Sequence, residues 1–168
     1  MAQANGAERI ELCANRNAGG ITLDLELFKT VRHKTTIVLY VMIRSRSGNF
    51  VYSDFELEQM KASIETFKEA KANGFVCGIL KESGLVNQQQ NCDVVALAKP
   101  LPCTFHRAFD EVENRTEVLE SILKCGFITS LTSGRAENCV DGIAVLAVLI
   151  KKSSQSHCNY ALRRFTLY

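Results

Sequence analysis

A block of seven residues, from Thr104 to Asp110, places a histidine, an arginine and an aspartate directly after an apolar stretch. The interior of a buried strand favours apolar and β-branched residues, so ionisable side chains gathered at its exit indicate a functional use. In parallel α/β proteins, ligands bind at the carboxyl ends of the strands, where loops carry polar groups on a rigid base. The block therefore predicts a site to which His106, Arg107 and Asp110 contribute.

Two further segments supply charge in the same manner. One apolar run leads directly into Arg44 and Arg46, and another carries Glu11 among apolar residues. Arginine binds carboxylate or phosphate through paired hydrogen bonds, and a histidine beside a carboxylate can transfer protons near neutral pH. We therefore expect Arg44, Arg46 and Arg107 to clamp a small anionic ligand and His106 to transfer protons. The alternative is that these charges pair with one another in structural ion pairs.

Sulfur side chains suggest a second hypothesis, a site for a soft metal ion. Soft ions such as copper(I) prefer the sulfur of cysteine and methionine. Cys13 lies at the end of a predicted strand and near Met42 of the next one, so it is the best candidate for a metal ligand. Cys77 and Cys103 lie in or beside apolar runs, where cysteine usually packs as a small hydrophobic residue.

The elements that position these residues alternate along the chain. We predict strands near 8–13, 37–43, 75–80, 102–106 and 128–132. We predict helices near 24–33, 54–72, 88–98, 115–125 and 139–151. This alternation is typical of βαβ units on a parallel sheet. The predicted fold class is therefore α/β.

The period of two along each strand predicts which side chains face inward. Ile10 and Leu12 share one face of the first strand and should pack against helices, which leaves Glu11 and Cys13 on the inner face. The same alternation directs five residues of the second and fourth strands inward: Met42, Arg44, Arg46, Thr104 and His106.

Composition limits the class of protein. The chain has 168 residues, 46% of them hydrophobic, which suits one domain with a sizeable core. Its net charge of +2 comes from interspersed residues of both signs and favours neither nucleic acid nor a membrane as partner. The seven cysteines form no Cys-x-x-Cys pair, and the amino terminus does not resemble a signal peptide. We therefore expect reduced thiols in a cytosolic protein.

Several blocks of the sequence, in order along the chain, resemble the CutC copper-homeostasis family. The blocks are residues 6–13, 19–22, 41–44, 50–53, 104–110 and 131–134. The resemblance implies a TIM barrel, a location in the cytoplasm with the nucleus as an alternative, and copper(I) binding or tolerance. A full TIM barrel has eight strands and about 250 residues. The resemblance therefore implies an incomplete barrel with about five parallel strands and outer helices, corresponding to strands two to six of the family.

The chain divides on this interpretation into a partial barrel, residues 1–152, and a divergent tail, residues 153–168, which shows no βα pattern. Five parallel strands do not close a barrel, so we expect a homo-oligomer through the open sheet edges. Three functions follow as hypotheses. The first is a copper-homeostasis protein that binds copper, and the second is a lyase-, isomerase- or hydrolase-like enzyme acting on a small anion. The third is an inactive truncated isoform.

Overall fold

A computed structural model describes residues 5–155 and 164–166, and within them the strands form one parallel sheet. The strands are β1 (Arg9–Leu12), β2 (Val38–Met42), β3 (Gly74–Cys77), β4 (Cys103–Phe105), β5 (Thr129–Leu131) and β6 (Arg164–Thr166). Each strand pairs in parallel with the next one in sequence. The predicted α/β fold, an open and curved part of a (β/α) barrel, is confirmed, and β6 extends the predicted five strands by one.

The helices cover one face of this sheet. They are α1 (Leu25–Lys34), α2 (Asp54–Glu69), α3 (Gln88–Ala98), α4 (Ala108–Glu111), α5 (Arg115–Cys125) and α6 (Ile143–Gln155). The short helix α4 was not predicted, because four residues show no helical period. Helix α6 begins at Ile143 instead of 139 and continues to Gln155, so it crosses the predicted boundary at 152. The division of the chain at that boundary stays a prediction.

Local sequence signals begin and end these helices. Ser53 precedes α2 and accepts a hydrogen bond from the backbone of Glu56, whose carboxylate accepts one from the backbone of Ser53. Asp24 accepts from two backbone N–H groups in the first turn of α1. Gly126 ends α5 in the left-handed conformation, at φ 93°. Each contact satisfies backbone groups that a helix end leaves unpaired.

The two faces of the sheet differ as the strand period predicts. On the outer face, Leu39, Val41 and Ile43 belong to the main core, together with helix residues such as Phe28 and Ile64. On the inner face, a separate cluster contains Tyr40, Met42 and Val76, with Cys13 packed against it. The inner cluster borders the part of the molecule where the predicted chemistry lies.

A glycine in β3 makes room for the inner face. A Cβ atom added at Gly74 would lie 2.5 Å from the Tyr40 ring. Because Gly74 has no side chain, the Tyr40 ring can occupy this space on the inner face of the sheet.

The cysteines follow the prediction only in part. Cys92 of α3 and Cys125 of α5 form a disulfide, with Cα atoms 4.4 Å apart, so the expectation of reduced thiols throughout is wrong for this pair. The reason is spatial, since α3 and α5 are neighbours although 33 residues separate the two cysteines. Cys77 and Cys103 are buried in the main core, as predicted. Among the described residues, no helix is long and apolar enough to cross a membrane.

Candidate functional site at the carboxyl ends of the strands

A cavity of about 490 Å³ opens at the carboxyl ends of the strands, the end of the sheet where the sequence predicts a site. Its walls come from residues in or after β1, β2, β4 and β5. The lining residues are Glu11, Leu12, Cys13, Arg16, Asn17, Gly19, Gly20, Met42, Phe50, His106, Arg107 and Leu131. Four of the seven predicted site residues therefore meet in one cavity, and Arg44, Arg46 and Asp110 do not line it.

Two sulfur side chains lie together on one wall of the cavity. Cys13 is half-buried and free, and Met42 lies beside it in the inner cluster. Gly20 lies over both, since a Cβ atom added there would be 3.1 Å from Cys13 Sγ and 3.7 Å from Met42 Cε. With φ +83°, Gly20 also adopts a conformation that other residues rarely take. The glycine thus allows the loop after β1 to approach the sulfur atoms closely.

The carboxylate of Glu11 forms an ion pair inside the rim. Arg9 Nη2 lies 2.8 Å from Glu11 Oε1, and the Arg9 guanidinium stacks over the Tyr40 ring at 4.7 Å. Burial raises the pKa of Glu11, and the charge and hydrogen bond of Arg9 oppose that change. Glu11 therefore forms a structural ion pair, which is the alternative that the sequence left open.

His106 contributes a neutral hydrogen-bond donor. Its side chain is 2% exposed, and Nδ1 accepts a hydrogen bond from the backbone N–H of Ala108 at 3.3 Å. The proton of the neutral ring therefore lies on Nε2, which has no hydrogen-bond partner among the described residues. Burial, and after it the positive charge of Arg44, lowers the pKa of His106 to about 3. This favours donation from Nε2 over proton uptake near neutral pH.

The ring of His106 is held between two neighbours. Its centroid lies 4.6 Å from that of Phe50. On another side, a Cβ atom added at Gly78 would be 2.8 Å from both Nδ1 and Cε1. The imidazole can therefore occupy its observed position only because Gly78 has no side chain.

Arg44 donates hydrogen bonds to the backbone of the loops. Nη1 donates to the carbonyl oxygens of Ala18 at 3.1 Å and Gly20 at 3.0 Å, and Nη2 donates to that of Gly48 at 2.6 Å. The guanidinium, in a residue only 4% exposed, also lies over the Phe50 ring at 4.6 Å. Its terminal nitrogens are therefore committed to holding the loops after β1 and β2.

Arg46 points away from the cavity, toward the start of α2. Its Nε lies 2.5 Å from Glu56 Oε1, and Nη2 donates to the carbonyl oxygen of Val51 at 2.6 Å. Nη1 also donates to the side chain of Asn49. The period of two that directs Arg46 inward holds only within a strand, and β2 ends at Met42.

Asp110 organises the loop after β5. Its carboxylate accepts hydrogen bonds from the Thr132 hydroxyl, the backbone and hydroxyl of Ser133, and the backbone of Arg135. Arg107 Nε lies 3.1 Å from Asp110 Oδ2, and Arg107 Nη2 donates to Ser133. Asp110 is buried and acts as a structural acceptor, which leaves Arg107 at the cavity rim.

The sequence reasoning missed Arg16, Asn17, Phe50 and Leu131 as lining residues. Arg16 is exposed in the 3₁₀ turn Arg16–Ala18, which folds back so that the backbone of Ala14 pairs with that of Ile21. The glycine pair that follows the turn was the available signal, because glycines at positive φ allow a loop to return over its own strand.

The cavity has few hard metal ligands. Within the described part of the chain, no group of three or more histidine, cysteine, aspartate or glutamate residues could hold a metal ion. Glu11 is paired with Arg9, and Nδ1 of His106 already accepts a hydrogen bond, so the donors without such a partner include the thiol of Cys13 and the thioether of Met42. That pair suits a soft ion such as copper(I) better than zinc or magnesium.

Comparisons with known proteins agree with this geometry. The model of the CutC family matches residues 1–158. The "Copper homeostasis protein cutC homolog" of Homo sapiens and that of Mus musculus are 40% and 41% identical over 152 residues. These alignments cover 90% of this chain and 56% of each relative, so the chain spans about half the length of the curated relatives it matches.

A solved structure supports the same relationship. The crystal structure of the "Putative Copper Homeostasis Protein CutC" from Streptococcus agalactiae superimposes with a TM-score of 0.83 at 29% identity. The match covers 88% of this chain and 74% of the bacterial one.

Proposed function

The chain belongs to the CutC family, and on that premise we propose that it serves copper homeostasis by binding copper(I) at Cys13. The names of the human and mouse relatives support a role in copper homeostasis. The sulfur donors at the cavity support copper(I) as the bound ion. Copper(I) is the substrate or cargo in this proposal.

The observation that carries the proposal is the position of Cys13. Its thiol is half-buried at the cavity wall, beside the thioether of Met42 and under Gly20. A metal entering the cavity would meet two sulfur atoms in a largely apolar surrounding. Cys13 would bind as the thiolate, so loading releases a proton, and Met42 would add a neutral thioether donor.

The other described cysteines offer less suitable ligands. Cys77 and Cys103 are fully buried in the main core, and a hydrogen bond with Cys103 together with burial raises the pKa of the Cys77 thiol. Cys92 and Cys125 are joined to each other. Cys139 is free and half-buried like Cys13, but it does not line the cavity. Cys158 lies outside the described residues.

The test is a competition titration against a copper(I) chelator under anaerobic conditions. Cys13→Ser should lower the copper affinity at least about tenfold, because a hard hydroxyl replaces a soft thiolate. Cys139→Ser is the matched control, since it removes a free and equally half-buried thiol, and it should keep the wild-type affinity. Equal affinities of Cys13→Ser and the wild type would remove Cys13 as the ligand.

Met42→Leu tests the thioether separately. Leucine keeps nearly the same volume in the inner cluster and removes only the sulfur atom. We expect a smaller loss of copper affinity than for Cys13→Ser, with an unchanged melting temperature. The enzyme hypothesis, the inactive isoform and the cytosolic location stay predictions.

A further inference from the structure

We propose that the cavity also binds a small organic monocarboxylate, held between the guanidinium of Arg16 and the Nε2–H group of His106. This site differs from the predicted anion clamp of Arg44, Arg46 and Arg107, because these three arginines bind other groups of the protein. It also goes beyond copper binding, because it uses neither Cys13 nor Met42.

The first supporting observation is the unsatisfied donor on His106. His106 lines the cavity and is only 2% exposed. Its Nε2 atom has no hydrogen-bond partner among the described residues. A buried donor without a partner costs free energy, and a ligand acceptor would remove that cost. The low pKa of His106, due to burial and Arg44, keeps the ring neutral with its proton on Nε2.

The second observation is the balance of charge around the cavity. Glu11 is paired with Arg9 at 2.8 Å, and Arg107 is paired with Asp110 at 3.1 Å. Arg16 is exposed at the rim and makes no side-chain hydrogen bond or ion pair with the described residues. Arg16 and Arg44 both lack a carboxylate partner among the described residues, since Arg44 donates to backbone carbonyl oxygens. This excess of positive charge favours an anion, and its carboxylate would accept from Arg16 and His106.

The rest of the lining defines the ligand further. Leu12, Phe50 and Leu131 present apolar surface around the polar end of the cavity. The Glu11 carboxylate, which also lines the cavity, would repel a second negative charge. A volume of about 490 Å³ is within the range of small-molecule sites. These features together favour a monoanion with an apolar body over inorganic phosphate.

Benzoate and benzamide are the matched probes, since they share shape and differ in charge. The readout is the long-range ¹H–¹⁵N spectrum of the imidazoles, with the His106 signals assigned from a His106→Gln variant. Benzoate should shift the His106 Nε2 signal in a saturable manner, and benzamide should bind at least about tenfold more weakly. Phosphate should bind more weakly than benzoate.

Two variants complete the test. Arg16→Gln should weaken benzoate binding about tenfold or more. Because the Arg16 side chain is exposed, the variant should fold, and an unchanged melting temperature would exclude loss of folding as the cause. Lys124→Gln removes the same charge from α5, at the other end of the sheet, and should keep wild-type binding. Equal benzoate affinity in Arg16→Gln, equal binding of benzamide, tighter binding of phosphate, or no saturable shift at His106 would each overturn the proposal. Arg16→Gln should keep its copper affinity, which separates this site from that of Cys13.

Discussion

The protonation of His106 makes the stability of the fold depend on pH. An exposed histidine in the unfolded chain has a pKa near 6.5, whereas burial and Arg44 lower the pKa of folded His106 to about 3. Between these values the unfolded state binds more protons, so the free energy of unfolding should fall as the pH decreases from about 6.5 toward 3. Above about 6.5 this contribution should be constant.

Urea unfolding at a series of pH values measures this effect. His106→Gln should show a shallower decrease in stability over that interval, because glutamine does not titrate. His33→Gln is the matched control, since His33 is exposed and its replacement should leave the slope unchanged. Parallel pH profiles of His106→Gln and the wild type would show that His106 does not titrate abnormally.

The contact between Gly78 and His106 predicts a steric penalty. Because an added Cβ would lie 2.8 Å from the imidazole, Gly78→Ala should destabilise the protein by about 1–3 kcal/mol. A double-mutant cycle with His106→Ala provides the control, since the smaller side chain makes room for the new methyl group. Additive free energies in that cycle, measured by urea unfolding, would contradict the assigned contact.

At the residue scale, the sequence predicted positions better than roles. The period of two correctly brought Glu11, Cys13 and His106 to one cavity, because side-chain direction within a strand is a local property. It could not predict the partners of Arg44. Those partners are carbonyl oxygens of two loops, and only the tertiary fold brings them within 3.1 Å of the guanidinium.

The connection between α4 and the loop after β5 depends on one carboxylate. Asp110→Asn keeps the shape of the side chain but turns one of its two acceptor oxygens into an N–H donor. That donor faces either the backbone N–H of Ser133, which binds Oδ2, or the backbone N–H of Arg135, which binds Oδ1. We expect a loss of stability of about 2–4 kcal/mol, because charge-assisted hydrogen bonds disappear and buried donors lose their partner. Urea unfolding measures the loss, and hydrogen exchange at Ser133 and Arg135 should accelerate.

The neighbouring residue supplies the control for that change. Glu111→Gln removes the same charge one position later, from an exposed side chain, and should change the stability by no more than about 0.5 kcal/mol. If the two variants are equally stable, the hydrogen bonds of Asp110 do not hold the loop.

At the scale of elements, strands and long helices were predictable because their periods extend over many residues. The predicted start of the second helix near residue 54 agrees with the structure, in which Ser53 caps α2. Helix α4 was missed because it is short and arises from the turn that follows His106, not from a repeating pattern. The disulfide between α3 and α5 was missed since sequence spacing does not show which helices become neighbours.

The open sheet predicts self-association of the whole molecule. Within the described residues, β1 and β6 lie at the two ends of the strand order, so each has an edge without a paired strand. Unpaired backbone groups on such edges tend to join other chains. We expect sedimentation velocity to show concentration-dependent oligomers. A single monomeric species across a wide range of concentration would contradict this expectation.

The overall class of the molecule was predictable because alternating strand and helix patterns admit few topologies. The parallel order β1 to β6 follows the sequence, since consecutive elements of a chain usually lie next to each other. The ligand preference was less predictable. It depends on which ionisable groups remain without a partner after folding, and Arg16 became a candidate only when the charges of Glu11 and Arg107 were seen to be matched.

A copper(I) site at Cys13 can be tested by copper K-edge X-ray absorption on the loaded protein. We predict sulfur neighbours at the metal in the wild type and in Cys139→Ser, since the cavity offers the thiol of Cys13 beside the thioether of Met42. In Cys13→Ser, oxygen or nitrogen should replace sulfur at equal loading, or the copper should be lost. A copper spectrum of Cys13→Ser identical to that of the wild type, at the same stoichiometry, would contradict the claim.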